Sequence, residues 1–158
     1  MSIAATGLRV RDAVGGLARW APAELAEPWD NVGWMFGNPD VPLTGTLVCL
    51  DLTEDCLVQA KAQGLNLIVT HHPPVFTPLR AVTVDSWEGR MAGLCWNYGI
   101  SVFSAHTNFD AAPGGLCDIL AGTLNLQEIR PFPGPGTDGL AGRGRSGLLS
   151  VAMDMEAF

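Results

Sequence analysis

The stretch NLIVTHHPPVF, residues 66–76, sets His71 and His72 side by side at the end of an apolar run and directly before two prolines. They are two of only three histidines in the chain. The third, His106, stands in SAHTNFD, just past another apolar run and close before Asp110. Imidazole nitrogens and a carboxylate oxygen are good ligands for first-row divalent ions such as Zn, Fe, Mn, Co or Ni, whereas Mg and Ca prefer oxygen. Imidazole also titrates near neutral pH, which makes His106 a candidate acid/base group, a ligand or a partner behind the ligands. The mixed set reads as a metal or catalytic centre. Asp51, shortly before Thr53 and Glu54, reads instead as a turn or capping residue.

Strand geometry constrains how the pair could work. Neighbouring side chains of an extended strand point to opposite faces, so His71 and His72 could share one ion only if the backbone turned between them. Pro73 disfavours helix at His72 and, with Pro74, ends the strand. Two close ions, one for each histidine, suit that arrangement. The plain alternative is one core histidine bonded to backbone and one exposed on a loop.

The elements that must position these residues alternate. TLVCLDL (46–52) has the length and branching of a buried strand; Thr53 reads as an N-cap, Glu54 and Asp55 suit the positive end of a helix, and Gly64 stops it before NLIVT. That is a βαβ unit with a parallel pair. The pattern recurs from Ser86, through a helix to Tyr98 and a stop at Gly99, into ISVFSAH. A helix over 115–123 and a strand over 127–130 would extend the sheet. An amphipathic helix over 3–20, weakened by Gly15 and Gly16, precedes them, followed by an ordered loop, PAELAEPWDNVGWMFGNPD. Such alternation implies an α/β fold. Ligands in these sheets bind beyond the carboxyl ends of strands, the shared address of Asp51, His71, His72 and His106.

Residues 1–130 are expected to form an α/β metal-binding domain. Residues 131–158 read as a Gly/Pro-rich segment, linker or hairpin, followed by a strand at LLSVAM and the start of a truncated continuation in which Asp154 resembles an N-cap.

Composition narrows the function classes. The chain has 158 residues, 47% of them hydrophobic, without an apolar run near the roughly 20 residues that span a bilayer. Its start lacks the layout of a secretory signal. Cys49, Cys56, Cys95 and Cys117 lie far apart in apolar stretches and read as buried thiols of a cytoplasmic protein. A net charge of −7 and a single lysine, Lys61, argue against nucleic acid and for a cation or small ligand. A nucleophile elbow and a P-loop are both absent. Gly114 and Gly115 could offer N–H groups to an anion but read first as a helix entry needing small residues. Arg143 and Arg145 read as solvated loop arginines.

Taken together, WDNVGWMFG, VCLDLTEDCL, LIVTHHPPVF, VFSAHTNFDAAPGGLCDILA and GLAGRGRSGLL resemble, in order and spacing, the N-terminal part of the Nif-three-like proteins, also called GTP cyclohydrolase I type 2 homologs. THHP and AHTNFD followed by GG are the most specific pieces. The resemblance implies the Nif-three-like fold, a mixed, largely parallel sheet flanked by helices, with the family's C-terminal part missing from this chain. It implies a dinuclear divalent-metal centre in a homohexamer, with His71, His72 and Asp110 as ligands and one metal for each histidine. Of that centre's ligands, a His and a Glu would lie in the missing segment. It places His106 at a position lining the site, here the candidate proton shuttle. The implied activity is a metal-dependent, GTP cyclohydrolase-like hydrolase. The alternatives are a metal-binding, metal-delivery or scaffold protein without catalysis, and an inactive truncated form.

Overall fold

The computed structural model describes residues 7–132, 144–152, 154 and 156. Four short strands, β1 (Gly33–Phe36), β2 (Thr46–Cys49), β3 (Leu67–Thr70) and β4 (Ser101–Ser104), form one sheet in the order β1-β4-β3-β2. β2, β3 and β4 run parallel, and β1 joins β4 antiparallel, so the sheet is mixed but largely parallel. β4 is buried along its whole length and β3 nearly so, because helices cover both faces. That is why these strands read as unbroken apolar runs rather than alternating ones.

The helices begin and stop where their caps dictate. The Thr53 hydroxyl accepts the Cys56 N–H at 3.2 Å at the start of α2 (Glu54–Ala62). Ser86 accepts the Gly89 N–H at 3.0 Å at the start of α3 (Trp87–Tyr98). Gly99 ends α3 at φ 67°, a left-handed turn that side chains resist. On one face of the sheet Leu57 and Ala60 of α2 and Met91 and Cys95 of α3 pack on Ile68 and Val102. On the other, Val10 and Val14 of α1 (Val10–Trp20) pack on Leu67 and Phe103. Each large side chain so buried contributes about 1.5–3 kcal/mol.

Several expectations are corrected. The expected first helix begins later, as α1, which runs intact through Gly15 and Gly16; residues 7–9 are not helical, and residues 1–6 lie outside the described set. The ordered loop after it contains a short 3₁₀ turn (Ala23–Leu25) and the edge strand β1. A five-residue helix, α4 (Thr107–Ala111), follows β4 and carries Asp110; it precedes α5 (Leu116–Thr123). β5 (Gln127–Pro131) does not extend the main sheet: it pairs antiparallel with β6 (Arg145–Leu148) in a second sheet of two strands. The strand expected over 148–153 lies earlier, at β6.

Candidate metal centre

β3 and β4 end level, with Thr70 opposite Ser104. Their hydroxyls, both buried, lie 2.7 Å apart and satisfy one another, which brings the last turn of each strand to one edge. Beyond this edge the chain bends. The N–H groups of His71 and His72 donate to Cys49 O at 3.1 Å and Leu50 O at 2.9 Å, both on the β2 side. Consecutive N–H groups of a regular strand point to opposite edges; here both point the same way, so the backbone has turned and the alternation of side chains is lost. The opposite-face expectation fails for that reason. The two rings lie side by side, 5.1 Å between centroids, and His106 completes a triangle at 5.0 Å from His71 and 5.5 Å from His72. One ring nitrogen from each of the three lies within 4.8 Å of the others.

Each imidazole is held from behind by an oxygen. His71 Nδ1 meets the Ala105 carbonyl at 3.1 Å, His72 Nδ1 meets Asp51 Oδ1 at 2.8 Å, and His106 Nδ1 meets Asp30 Oδ1 at 2.9 Å. A carbonyl or an ionised carboxylate can only accept, so Nδ1 is the donor in each contact and Nε2 is the ring nitrogen left to face an ion. Asp110 adds a carboxylate, its Oδ1 3.7 Å from His71 Nε2. Three imidazole nitrogens with a neighbouring carboxylate are a donor set that fits a first-row divalent ion. Asp51 is thus the partner of His72, not a capping residue.

Asp30 was not foreseen. Its side chain is fully buried and receives the Thr107 N–H at 3.1 Å and the Thr107 hydroxyl besides His106. Burial works to raise its pKa, but the hydrogen bonds from His106, Thr107 and the Asn31 backbone outweigh it and hold the carboxyl below its ordinary range. Asp30 therefore stays ionised at the N-terminus of α4, where the helix dipole favours a negative charge. The only signal for it lay in the WDNVGWMFG motif, where nothing marks this carboxylate as the one turned inward.

The other polar candidates resolve differently. Arg145 is not solvated: its side chain is only 4% exposed and forks onto both oxygens of Asp118. The fork, ahead of the Gly114 N–H, draws the Asp118 carboxyl below its usual range, and it raises Arg145 in turn. Gly114 spends its N–H on Asp118 at 2.6 Å, and a Cβ at Gly115 would fall 2.1 Å from the Phe109 carbonyl oxygen, so this turn serves as a helix entry. Arg143 lies outside the described residues. All four cysteines are free; Cys95 is buried and the others partly so. Burial first of all pushes the Cys49 and Cys95 thiols up to about 12, the chemistry of inert thiols rather than thiolate ligands. No helix among the described residues is long and apolar enough to cross a membrane.

A largely parallel sheet that gathers three histidines and their carboxylate partners beyond its strand ends defines an α/β protein with a candidate metal centre. The chain belongs to the Duf34/NIF3 (NGG1p interacting factor 3) family, whose model matches residues 8–158. It is 36% identical over 144 residues to the Lactococcus lactis protein named GTP cyclohydrolase 1 type 2 homolog, covering 91% of this chain and 54% of that one. It is 34% identical over 151 residues to NIF3-like protein 1 of Drosophila melanogaster, covering 95% of this chain and 51% of that one. Among solved structures, a Bacillus cereus protein related to NIF3 superposes with a TM-score of 0.74 at 33% identity, over 78% of this chain and 34% of that chain. The chain thus spans about half the length of these two curated relatives.

Proposed function

We propose that this chain binds divalent transition-metal ions through His71, His72 and Asp110, and that the centre serves a metal-dependent hydrolase of the GTP cyclohydrolase kind. One observation carries the reading: every Nδ1 of the three imidazoles is spent on a pure acceptor, leaving every Nε2 as a potential ligand. When bound, the ions would supply Lewis-acid activation of water. The chain's own residues do the rest. His71 and His72 offer neutral nitrogen, Asp110 offsets positive charge, and Asp30 fixes one tautomer of His106 so that Nε2 is the atom able to take a proton. The hydrolytic part of the proposal leans on the name carried by the Lactococcus lactis relative.

In the two-ion form His71 and His72 would each hold one ion, with Asp110 as a further ligand and His106 as proton carrier. The 4.8 Å spacing of the histidine nitrogens favours a second reading, a single ion with His106 as third ligand. Without turnover, that form is a metal-delivery or scaffold protein. Elemental analysis of the tag-free chain beside a His71→Ala/His72→Ala control tests the proposal. About two equivalents per chain, absent from the control, support the two-ion form; a single equivalent also lost in His106→Ala supports the one-ion form. Metal-free wild type overturns both. GTP turnover by the loaded chain, lost in His106→Ala, separates hydrolase from carrier. We extend the proposal to the homohexamer that the family resemblance implies, tested by sedimentation velocity.

A further inference from the structure

Asp110 Oδ1 stands 3.7 Å from His71 Nε2. Two donors that each lie about 2.0–2.2 Å from one ion are about 3.4 Å apart at the tetrahedral angle and at most about 4.2 Å. The observed separation falls inside that span with about half an ångström to spare. A displacement of α4 by about 1 Å away from the end of β3 would therefore take Asp110 out of reach of an ion held by His71.

α4 has little of its own to resist such a displacement. It has five residues, and a helix that short does not hold unaided. The Phe109 and Asp110 N–H groups both donate to His106 O, at 2.9 and 3.0 Å, so the helix hangs on the residue before it. Asp30 fixes that end through the N–H and the hydroxyl of Thr107. The other end, the one next to Asp110, is held from a remote part of the chain.

Arg145, the first residue of β6, holds it. Its Nη2 donates to the carbonyls of Ala111 and Ala112 at 3.5 and 3.3 Å, the two residues directly after Asp110. Nε and Nη2 together fork onto Asp118 in the first turn of α5, which also accepts the Gly114 N–H between the two helices. One guanidinium thus joins the end of α4, the start of α5 and the β5–β6 sheet. Its planar fork fixes directions as well as distances, which a point charge does not. Resting on the metal-centre reading above, we infer that Arg145 is a positioning residue for metal binding. By holding the Ala111 and Ala112 carbonyls against Asp118, it sets the Asp110 carboxylate at chelating distance from His71. The second sheet, itself outside the centre, serves it through this one side chain.

The test is the Zn(II) affinity of the full chain, read by competition with a chromophoric chelator, for wild type, Arg145→Ala, Arg145→Lys and Arg130→Ala. Each is measured with Asp110 intact and in an Asp110→Ala background. With Asp110 intact, Arg145→Ala should weaken binding about tenfold or more. Arg145→Lys keeps the charge but cannot fork, and should lose about threefold or more; it decides the matter if Arg145→Ala does not fold. Arg130→Ala removes the same charge from a side chain of the same sheet that is 77% exposed, and should stay within about twofold of wild type. In the Asp110→Ala background the Arg145 substitutions should have no further effect. A merely structural role would lower affinity alike in both backgrounds. That result, or Arg145 variants that bind as wild type does, overturns the proposal. Failure of the metal reading shows separately, as a wild type that binds no Zn(II). Amide exchange of the metal-free chain then decides the positioning alone: the Phe109, Asp110 and Ala112 N–H groups should exchange about tenfold faster in Arg145→Lys, with α2 unchanged. Exchange equal to wild type in α4 overturns it.

Discussion

His72 and Asp51 are both well exposed, at 47% and 60% of their side chains, yet they meet at 2.8 Å. A pair this open contributes only about 0–1 kcal/mol to folding. Its effect is on which nitrogen of His72 carries the proton. Asp51→Ala is therefore expected to lower Zn(II) affinity about 10–100-fold, read by competition with a chromophoric chelator, with no change in the unfolding midpoint. Unchanged affinity would mean that Asp51 does not orient His72. The three histidines were legible as types at strand ends, because apolar runs closing on His are a local pattern, whereas Asp110 lies on α4. Their supporting carboxylates were not. Asp30 lies 76 residues before His106, among other polar residues of a turn-rich segment, and only the fold decides which of them turns inward.

At the scale of elements, α4 carries Asp110 on five residues, too few to nucleate and hold a helix unaided. It is clamped at both ends in the sense its dipole favours. Asp30 accepts from Thr107 at the N-terminus, and Arg145 donates to the Ala112 carbonyl at 3.3 Å beyond the C-terminus while forking onto Asp118. Arg145→Ala takes the fork from a partly buried carboxylate and should cost about 1–3 kcal/mol in urea unfolding. Arg145→Lys should recover only part of it, because an ammonium cannot fork. A loss within the error of measurement would rule the clamp out. The pH dependence follows from Asp118, whose folded pKa is depressed. Its contribution is complete above the unfolded value of about 3.9 and disappears as pH falls through the lower folded value. The stability gap between wild type and Asp118→Asn should hold steady from about pH 7 to 5 and close below about pH 4. A gap independent of pH would show that the carboxylate charge is not what Arg145 uses. The strands and helices of the parallel core were legible from apolar runs and caps, whereas α4 and β1 were not, being too short to show a period. β5 was legible as a strand but not as β6's partner, since pairing across 13 intervening residues (132–144) leaves no local trace.

For the molecule as a whole, the centre joins parts that are distant in sequence: the ends of β3 and β4, the segment before β1, and α4. The unfolded chain keeps His71 and His72 adjacent but leaves His106 and the carboxylates far from them, so metal should bind the native state more tightly. The net charge of −7 adds a general attraction for cations. An ion held at a free concentration of about 100 times its Kd stabilises by about 2.7 kcal/mol. For a domain of this size that corresponds to a rise of about 5–11 °C in Tm. Zn(II) should produce this shift in wild type, a chelator should reverse it, and the His71→Ala/His72→Ala chain should show neither. The double variant matters because general cation binding to an acidic surface would move both proteins alike. A rise shared by the two would assign the metal to surface carboxylates, and an unmoved wild type would remove the centre from the account of this fold.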